Sequence, residues 1–151
     1  MRRRSAPLMA ICLYVLIATP QASAEEIETR APVALTATEK TFVLGQMRLF
    51  VESLEKIVTA LASTDASAAA EAAAARGAQR FQAENAMPPT LSEKLPDQWR
   101  RFGRPMRAGF DALAQGARNG EDKDRSLVRL GEIMHNCVGC HAAYRVVDAQ
   151  N

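Results

Sequence analysis

Histidine and cysteine are scarce in this chain, with two histidines and three cysteines among 151 residues. The net charge is small as well, +2 at pH 7. The first 24 residues hold three arginines and no acid, so their removal would change that charge to −1. A nucleic-acid partner then has no electrostatic support. No segment alternates apolar and polar residues as a half-buried strand does, so we expect no strands.

The N-terminal 24 residues have the three parts of a secretory signal peptide. A basic start at residues 2–4 precedes an apolar stretch from about Leu8 to Thr19, and small residues at 22–24 form a cleavage site. The apolar stretch is too short to span a bilayer comfortably, and no later segment resembles a membrane helix. A retained membrane anchor is the alternative. We predict export to the periplasm, cleavage after Ala24 and no membrane span in the mature chain.

The remaining 127 of the 151 residues suit one domain with a single core. Residues 25–35 show no clear period, so we interpret them as a flexible leader, residues 36–151 forming the domain. Thr36 and Glu39 have the spacing of a capping box, which marks the start of a helix. Apolar residues then recur at steps of three and four, as on one face of a long helix.

Three further helices are predicted. One covers the alanine-rich residues 66–82, because alanine has high helix propensity. After a proline-containing loop, another begins near Pro96 and should be kinked or split at Pro105. The last begins at about Asp122. The sequence therefore predicts an all-α fold with four antiparallel helices in one bundle.

Both histidines and two of the cysteines are crowded into "MHNCVGCHAAYR", residues 134–145. The five residues from Cys137 to His141 have the spacing of a c-type haem attachment site. A helix turns about 100° per residue, so Cys140 lies roughly 60° to one side of Cys137 and His141 about 40° to the other. Two thiols on one patch can add to the two vinyl groups of a haem, beside an imidazole that can bind the iron. Gly139 would let the macrocycle lie close to the backbone.

Other interpretations of these residues carry less weight. A thioredoxin-like pair needs a βαβ context and a helix N-terminus to lower a thiol pKa. A disulfide between Cys137 and Cys140 would constrain almost nothing. A zinc or copper site that adds His135 and His141 has suitable ligand types. His135, however, lies about 160° around the helix from Cys137, so a metal would require an unwound turn.

The chain resembles the cytochrome c′ family, including its six-coordinate low-spin relatives. The resemblance rests on the signal peptide, four helices, "LPDQW" before the third helix and "CVGCHAAYR" on the last. It implies an up-down-up-down bundle with one covalent haem c, held by Cys137 and Cys140, with His141 as proximal ligand. Arg145 matches an arginine beside the proximal face of the haem, one helical turn from His141; a solvated arginine is the alternative. Trp99 would be pocket wall or core.

The resemblance also implies that a residue of the first helix covers the distal face of the haem, and Met47 occupies that place. A methionine that binds the iron gives a six-coordinate electron carrier, and a residue that does not bind leaves a five-coordinate haem open to small gases. Core packing is the alternative for Met47. Met87 and Met106 are weaker candidates for the ligand, and Met134 lies on the proximal side.

One departure from the family leaves the propionate partners unassigned. Family members commonly carry Arg-Gln three and four residues before the distal position, where this chain has Val43 and Leu44. Arg48 is the candidate that the sequence offers instead.

We therefore expect a periplasmic cytochrome that transfers single electrons to a redox partner protein, and not an enzyme. There is no Ser-His-Asp set, phosphate-binding loop or paired acidic site, and a peroxidase would need a distal histidine that the chain does not offer. A five-coordinate protein that binds NO or CO is the first alternative, and a zinc- or copper-binding protein is the second. A homodimer is compatible with the sequence.

Overall fold

The computed structural model describes residues 28–84 and 87–150, so the predicted signal peptide lies outside the described residues. The described residues are mostly helical, as expected for an all-α chain. In chain order their elements are β1 (Ala31–Leu35), α1 (Ala37–Ala62), α2 (Ala66–Ala74), α3 (Ala78–Glu84), α4 (Pro89–Lys94), α5 (Asp97–Arg118), α6 (Lys123–Ala143) and β2 (Tyr144–Asp148).

Side-chain caps fix the starts of the two helices that the sequence marks most clearly. The Thr36 backbone N–H donates to Glu39 Oε2 at 2.9 Å, and the Glu39 N–H donates to Thr36 Oγ1 at 3.4 Å. This reciprocal pair is the capping box expected for α1. At α6, Asp122 accepts the backbone N–H of Arg125 at 2.8 Å. Both caps satisfy N–H groups that have no partner within the helix.

The second predicted helix is broken into α2 and α3, and the break has a cause on α5. Asp111 of α5 accepts the backbone N–H of Ala78 at 2.8 Å and so caps α3 from outside. Gly77 is buried directly beside that carboxylate, where a Cβ would collide with it. Residues 66–82 therefore do not form one continuous helix, because a second, separately capped helix begins at Ala78.

Two prolines begin a helix where the sequence predicts a loop. Pro88 and Pro89 precede and begin the short helix α4, within the segment that the sequence suggests is a loop. Proline is tolerated in a first turn because the N–H it lacks would have no helical partner there. Helix α5 runs through Pro105 without being split into two helices.

Strands β1 and β2 form a parallel two-stranded sheet, with Val33 opposite Val146. The expectations of no strands and of a flexible leader are therefore wrong for residues 31–35. The strand buries alternate side chains, Val33 and Leu35. With only five residues, its alternation is too short to stand out in the sequence, and burial of those two side chains stabilises the pairing.

The hydrophobic core consists of two clusters. The larger joins α1, α2, α5 and α6, and within it the Phe50 and Phe110 rings stack with centroids 5.8 Å apart. The smaller joins β1, α1, α4 and the residue after α4, and includes Leu35 and Leu91. Helix α1 packs on α2, α2 on α5, and α5 on α6. Met47 packs against both clusters. Within the described residues, no helix combines the length and the apolar character that a membrane crossing needs.

Candidate cofactor site

The Cys-x-x-Cys-His motif lies near the C-terminal end of α6, in helical conformation throughout. Cys137 and Cys140 are half-buried and neither forms a disulfide. His141, one turn beyond Cys137, is exposed. The helix therefore carries the two thiols and the imidazole in the arrangement that the spacing predicts.

Burial governs the chemistry of the two thiols. It raises the pKa of Cys137, and it raises the pKa of Cys140 to about 11, with a further contribution from the neighbouring Cys137. A thiol with a raised pKa is protonated at neutral pH and is a poor nucleophile by itself. This is the opposite of a thioredoxin-like pair, whose attacking cysteine needs a lowered pKa.

The zinc or copper alternative would use His135 together with the residues of the motif. Among the described residues, no three histidine, cysteine or acidic side chains are grouped as ligands of one metal ion would be. His135 is exposed, and His141 is exposed one turn and a half further along α6.

At Gly139, α6 packs closely against α5. A Cβ added at this position would lie 2.7 Å from Cε1 of Phe102. The sequence-based expectation was that the absence of a side chain at Gly139 leaves room for a macrocycle. In this structure the ring of Phe102 occupies the space beside Gly139.

A large apolar cavity of about 560 Å³ lies next to this region. Side chains from α1, α3, α4, α5 and the segment before α4 line it, and they include three methionines, Met47, Met87 and Met106. Trp99 also lines it, as expected for a pocket wall. The cysteines and His141 are not among the lining residues. Met106 connects the cavity to the motif, because it lines the cavity and its Sδ lies 3.7 Å from Cys137 Sγ.

Arg145 lies just beyond the end of α6. The helix ends at Ala143, and Tyr144 has an extended backbone with φ −131° and ψ 149°. Arg145 therefore belongs to β2, which corrects the expectation that it lies on a further helical turn beyond His141. Its Nε is buried without a hydrogen bond and lies 3.9 Å from Glu28 Oε2. The Tyr144 ring packs against Trp99, with centroids 5.4 Å apart.

The three arginines of the cavity wall are not predicted from the sequence, and of these Arg107 contacts two aromatic rings. Arg107 on α5 lines the cavity together with Arg100 and Arg104. The sequence offers no signal that separates it from the other arginines of this helix, because only the packing of α1 and α3 against α5 shows which one is enclosed.

The donor set fits a covalently attached haem. The thiols of Cys137 and Cys140, neither in a disulfide, lie with the imidazole of His141 on one side of α6. Met106 contacts the Cys137 thiol and also lines the apolar cavity, which is large enough for a bulky cofactor. Comparison of the chain with protein-family models, with curated proteins and with solved structures gave no match.

Proposed function

We propose that this protein is a periplasmic c-type cytochrome that transfers single electrons through one haem c, attached to Cys137 and Cys140 with His141 as proximal ligand. The observation that carries the proposal is the helical Cys-x-x-Cys-His motif with both thiols unpaired, adjoining an apolar cavity through Met106. Bound haem would supply a one-electron iron couple.

The fold belongs to the same proposal. We take α1, α2 with α3, α5 and α6 as the four arms of an antiparallel bundle of the cytochrome c′ type. The order of packing along the chain supports this arrangement, since each arm packs on the next. Short connections between consecutive helices favour antiparallel neighbours.

The protein's own residues have three roles on this proposal. The thiols of Cys137 and Cys140 anchor the cofactor, and the imidazole of His141 is the axial donor. The apolar cavity wall excludes water, which lowers the local dielectric constant and tunes the redox potential. Met47 is the proposed sixth ligand, because it lines the cavity from α1 and its thioether is a soft donor.

A five-coordinate protein that binds NO or CO is the second candidate. It is favoured by the packing of Met47 against both core clusters, which is the behaviour of a core side chain. If Met47 has only that role, the distal side of the iron is open to a gas.

The partner of the electron carrier would be another redox protein, and a homodimer would add a second copy of this chain.

Mass spectrometry of the mature protein tests the proposal, using a bacterial host that attaches haem to exported proteins. We expect a chain that begins at Glu25 and carries one haem that survives acid extraction. Cys137→Ser and Cys140→Ser should each weaken haem retention, and His141→Ala should alter the absorption spectrum. His135→Ala is the matched control, because His135 is exposed on the same helix. A mature chain with free thiols and bound zinc would refute the proposal.

A further inference from the structure

The cavity wall contains a cation that is held in a fixed orientation. The Cζ atom of Arg107 lies 3.6 Å from the centroid of the Phe81 ring and 5.0 Å from that of Phe50. Its guanidinium donates to the carbonyl oxygen of Arg76 and to Oε1 of Gln46, each at 3.3 Å. A guanidinium carries five N–H donors, so these two long hydrogen bonds leave donors for another acceptor.

No carboxylate of the described residues forms an ion pair with Arg107. The negative charge of Glu84 is close enough to favour the charged form of Arg107, but the Glu84 carboxylate forms its ion pair with Arg80, at 2.7 Å. Burial lowers the pKa of Arg107 to about 10, and the nearby Arg76 adds to this effect. The side chain therefore remains a cation at neutral pH. Arg107 is half-buried, and a half-buried charge without a counterion carries a desolvation cost, so this position suits an anion.

The first helix cannot supply the partners that the family uses for the acidic edge of a haem. Val43 is buried and apolar, and Leu44 is apolar as well. Arg48, the candidate offered by the sequence, is exposed and does not line the cavity.

The two other arginines of the cavity wall are less suited to bind an anion. Arg100 already donates to Asp97 at 3.0 Å and to the carbonyl oxygen of Ser92. Arg104 is exposed. Among the three arginines that line the cavity, Arg107 is the one that is half-buried and also held against aromatic rings.

We infer that Arg107 binds a carboxylate of the group that occupies the cavity, which on the proposed function is a propionate of the haem. The planar fork of a guanidinium matches a carboxylate with two parallel hydrogen bonds. Its stacking on Phe81 and Phe50 fixes the plane of the fork before the ligand arrives. The inference rests on the proposed function, and it moves the propionate partner from α1 to α5.

The test compares the reduction potentials of wild type, Arg107→Gln, Arg107→Lys and Arg101→Gln, after haem content and thermal unfolding have been measured for each. Arg101 is an exposed residue of the same helix that does not line the cavity, so its variant controls for the loss of one positive charge. We expect Arg107→Gln to lower the potential, because a cation near the haem favours the reduced iron. Arg107→Lys keeps the charge but not the planar fork, so it should restore only part of the difference, and Arg101→Gln should leave the potential unchanged.

An unchanged potential in a folded, haem-loaded Arg107→Gln protein would overturn the inference. A drop in Arg48→Gln and not in Arg107→Gln would also overturn it, by placing the partner on α1. A wild-type protein without haem would instead overturn the proposed function. The haem content of the wild type is therefore measured before any variant is compared with it.

Discussion

The sulfur atoms of Met106 and Cys137 lie 3.7 Å apart and join α5 to α6 at the edge of the apolar cavity. Met106 is buried and belongs to the larger core cluster, and Cys137 packs against that cluster. Met106 thus contacts a thiol of the Cys-x-x-Cys-His motif, while a second methionine, Met47, lines the same cavity from α1. On the proposed function, these two side chains make a matched pair for finding a sixth ligand of the haem iron.

Replacing Met47 by leucine should convert a low-spin haem to a high-spin haem that binds carbon monoxide. Leucine keeps the apolar volume but removes the sulfur that would bind the iron. The weak near-infrared charge-transfer band of a methionine–iron bond should disappear from the oxidised protein. Met106→Leu is the matched control and should retain the band. A spectrum that Met47→Leu leaves unchanged would favour the five-coordinate gas-binding protein, and a band lost only in Met106→Leu would make Met106 the ligand.

Gly139→Ala should destabilise the protein by about 1–3 kcal/mol, the usual cost of forcing an extra carbon into a packed contact. The reason is the ring of Phe102, 2.7 Å from the position of the new Cβ. Urea unfolding followed by circular dichroism measures the change. Gly131→Ala on the same helix is the control, because nothing lies within 4 Å of its Cβ position. That substitution should stabilise the helix by roughly 0.5–1 kcal/mol. Equal effects of the two substitutions would contradict the close contact between α5 and α6.

Glu39 should make the stability of the protein depend on acid pH. Its carboxylate accepts hydrogen bonds from Lys94 at 2.8 Å, from the Thr36 backbone at 2.9 Å and from Thr90 at 2.7 Å. These bonds, led by that of Lys94, lower its pKa from 4.5 to about 2. A carboxyl with a lowered folded-state pKa stabilises the fold above its unfolded-state pKa. This stabilisation is lost as the pH falls from about 4.5 to about 2.

The comparison that measures this effect is the free energy of unfolding of wild type and Glu39→Gln between pH 2 and pH 6. The difference between the two proteins should be largest near pH 6 and should shrink as the pH falls. Lys94→Ala, which removes the strongest hydrogen bond, should weaken the same dependence. A difference that stays constant over the whole range would show that Glu39 contributes through shape and not through charge.

Leu35→Ala should destabilise the protein by about 2–5 kcal/mol, as expected for truncation of a fully buried leucine. This outcome distinguishes a strand packed on the core from a flexible leader, in which the same change would have almost no effect. Val51→Ala, at a side chain that is 66% exposed, is the control and should change stability by at most about 0.5 kcal/mol. Chemical denaturation of the mature chain gives both values.

Local signals in the sequence were sufficient for the main helices. The capping box of Thr36 and Glu39 places the start of α1 correctly, and the expected start at about Asp122 agrees with that of α6, because the start of a helix depends on residues within one turn. The placement of Cys137 and His141 on a helix followed from the three- and four-residue spacing of apolar residues along the last helix. These features depend on neighbours in the chain.

The features that were missed depend on distant residues. The break before α3 comes from Asp111, 33 residues further along the chain. The placement of Arg145 in β2 requires pairing with β1, and the enclosure of Arg107 requires Phe50 and Phe81 from two other helices. No local pattern encodes such contacts, so sequence periodicity could not reveal them.

The pairing of β1 with β2 also sets an order of events in folding. The two strands join segments that are far apart along the chain, since Leu35 lies opposite Asp148. Lys40 of α1 also forms a salt bridge with Asp148, 2.7 Å long, across 108 residues of sequence. Contacts of such long range close a large loop and are made late. During synthesis β1 emerges well before β2, so β1 can pair with it only after the Cys-x-x-Cys-His segment has emerged too. The two strands are joined only after the segment that carries Cys137 and Cys140 is already available for chemical modification.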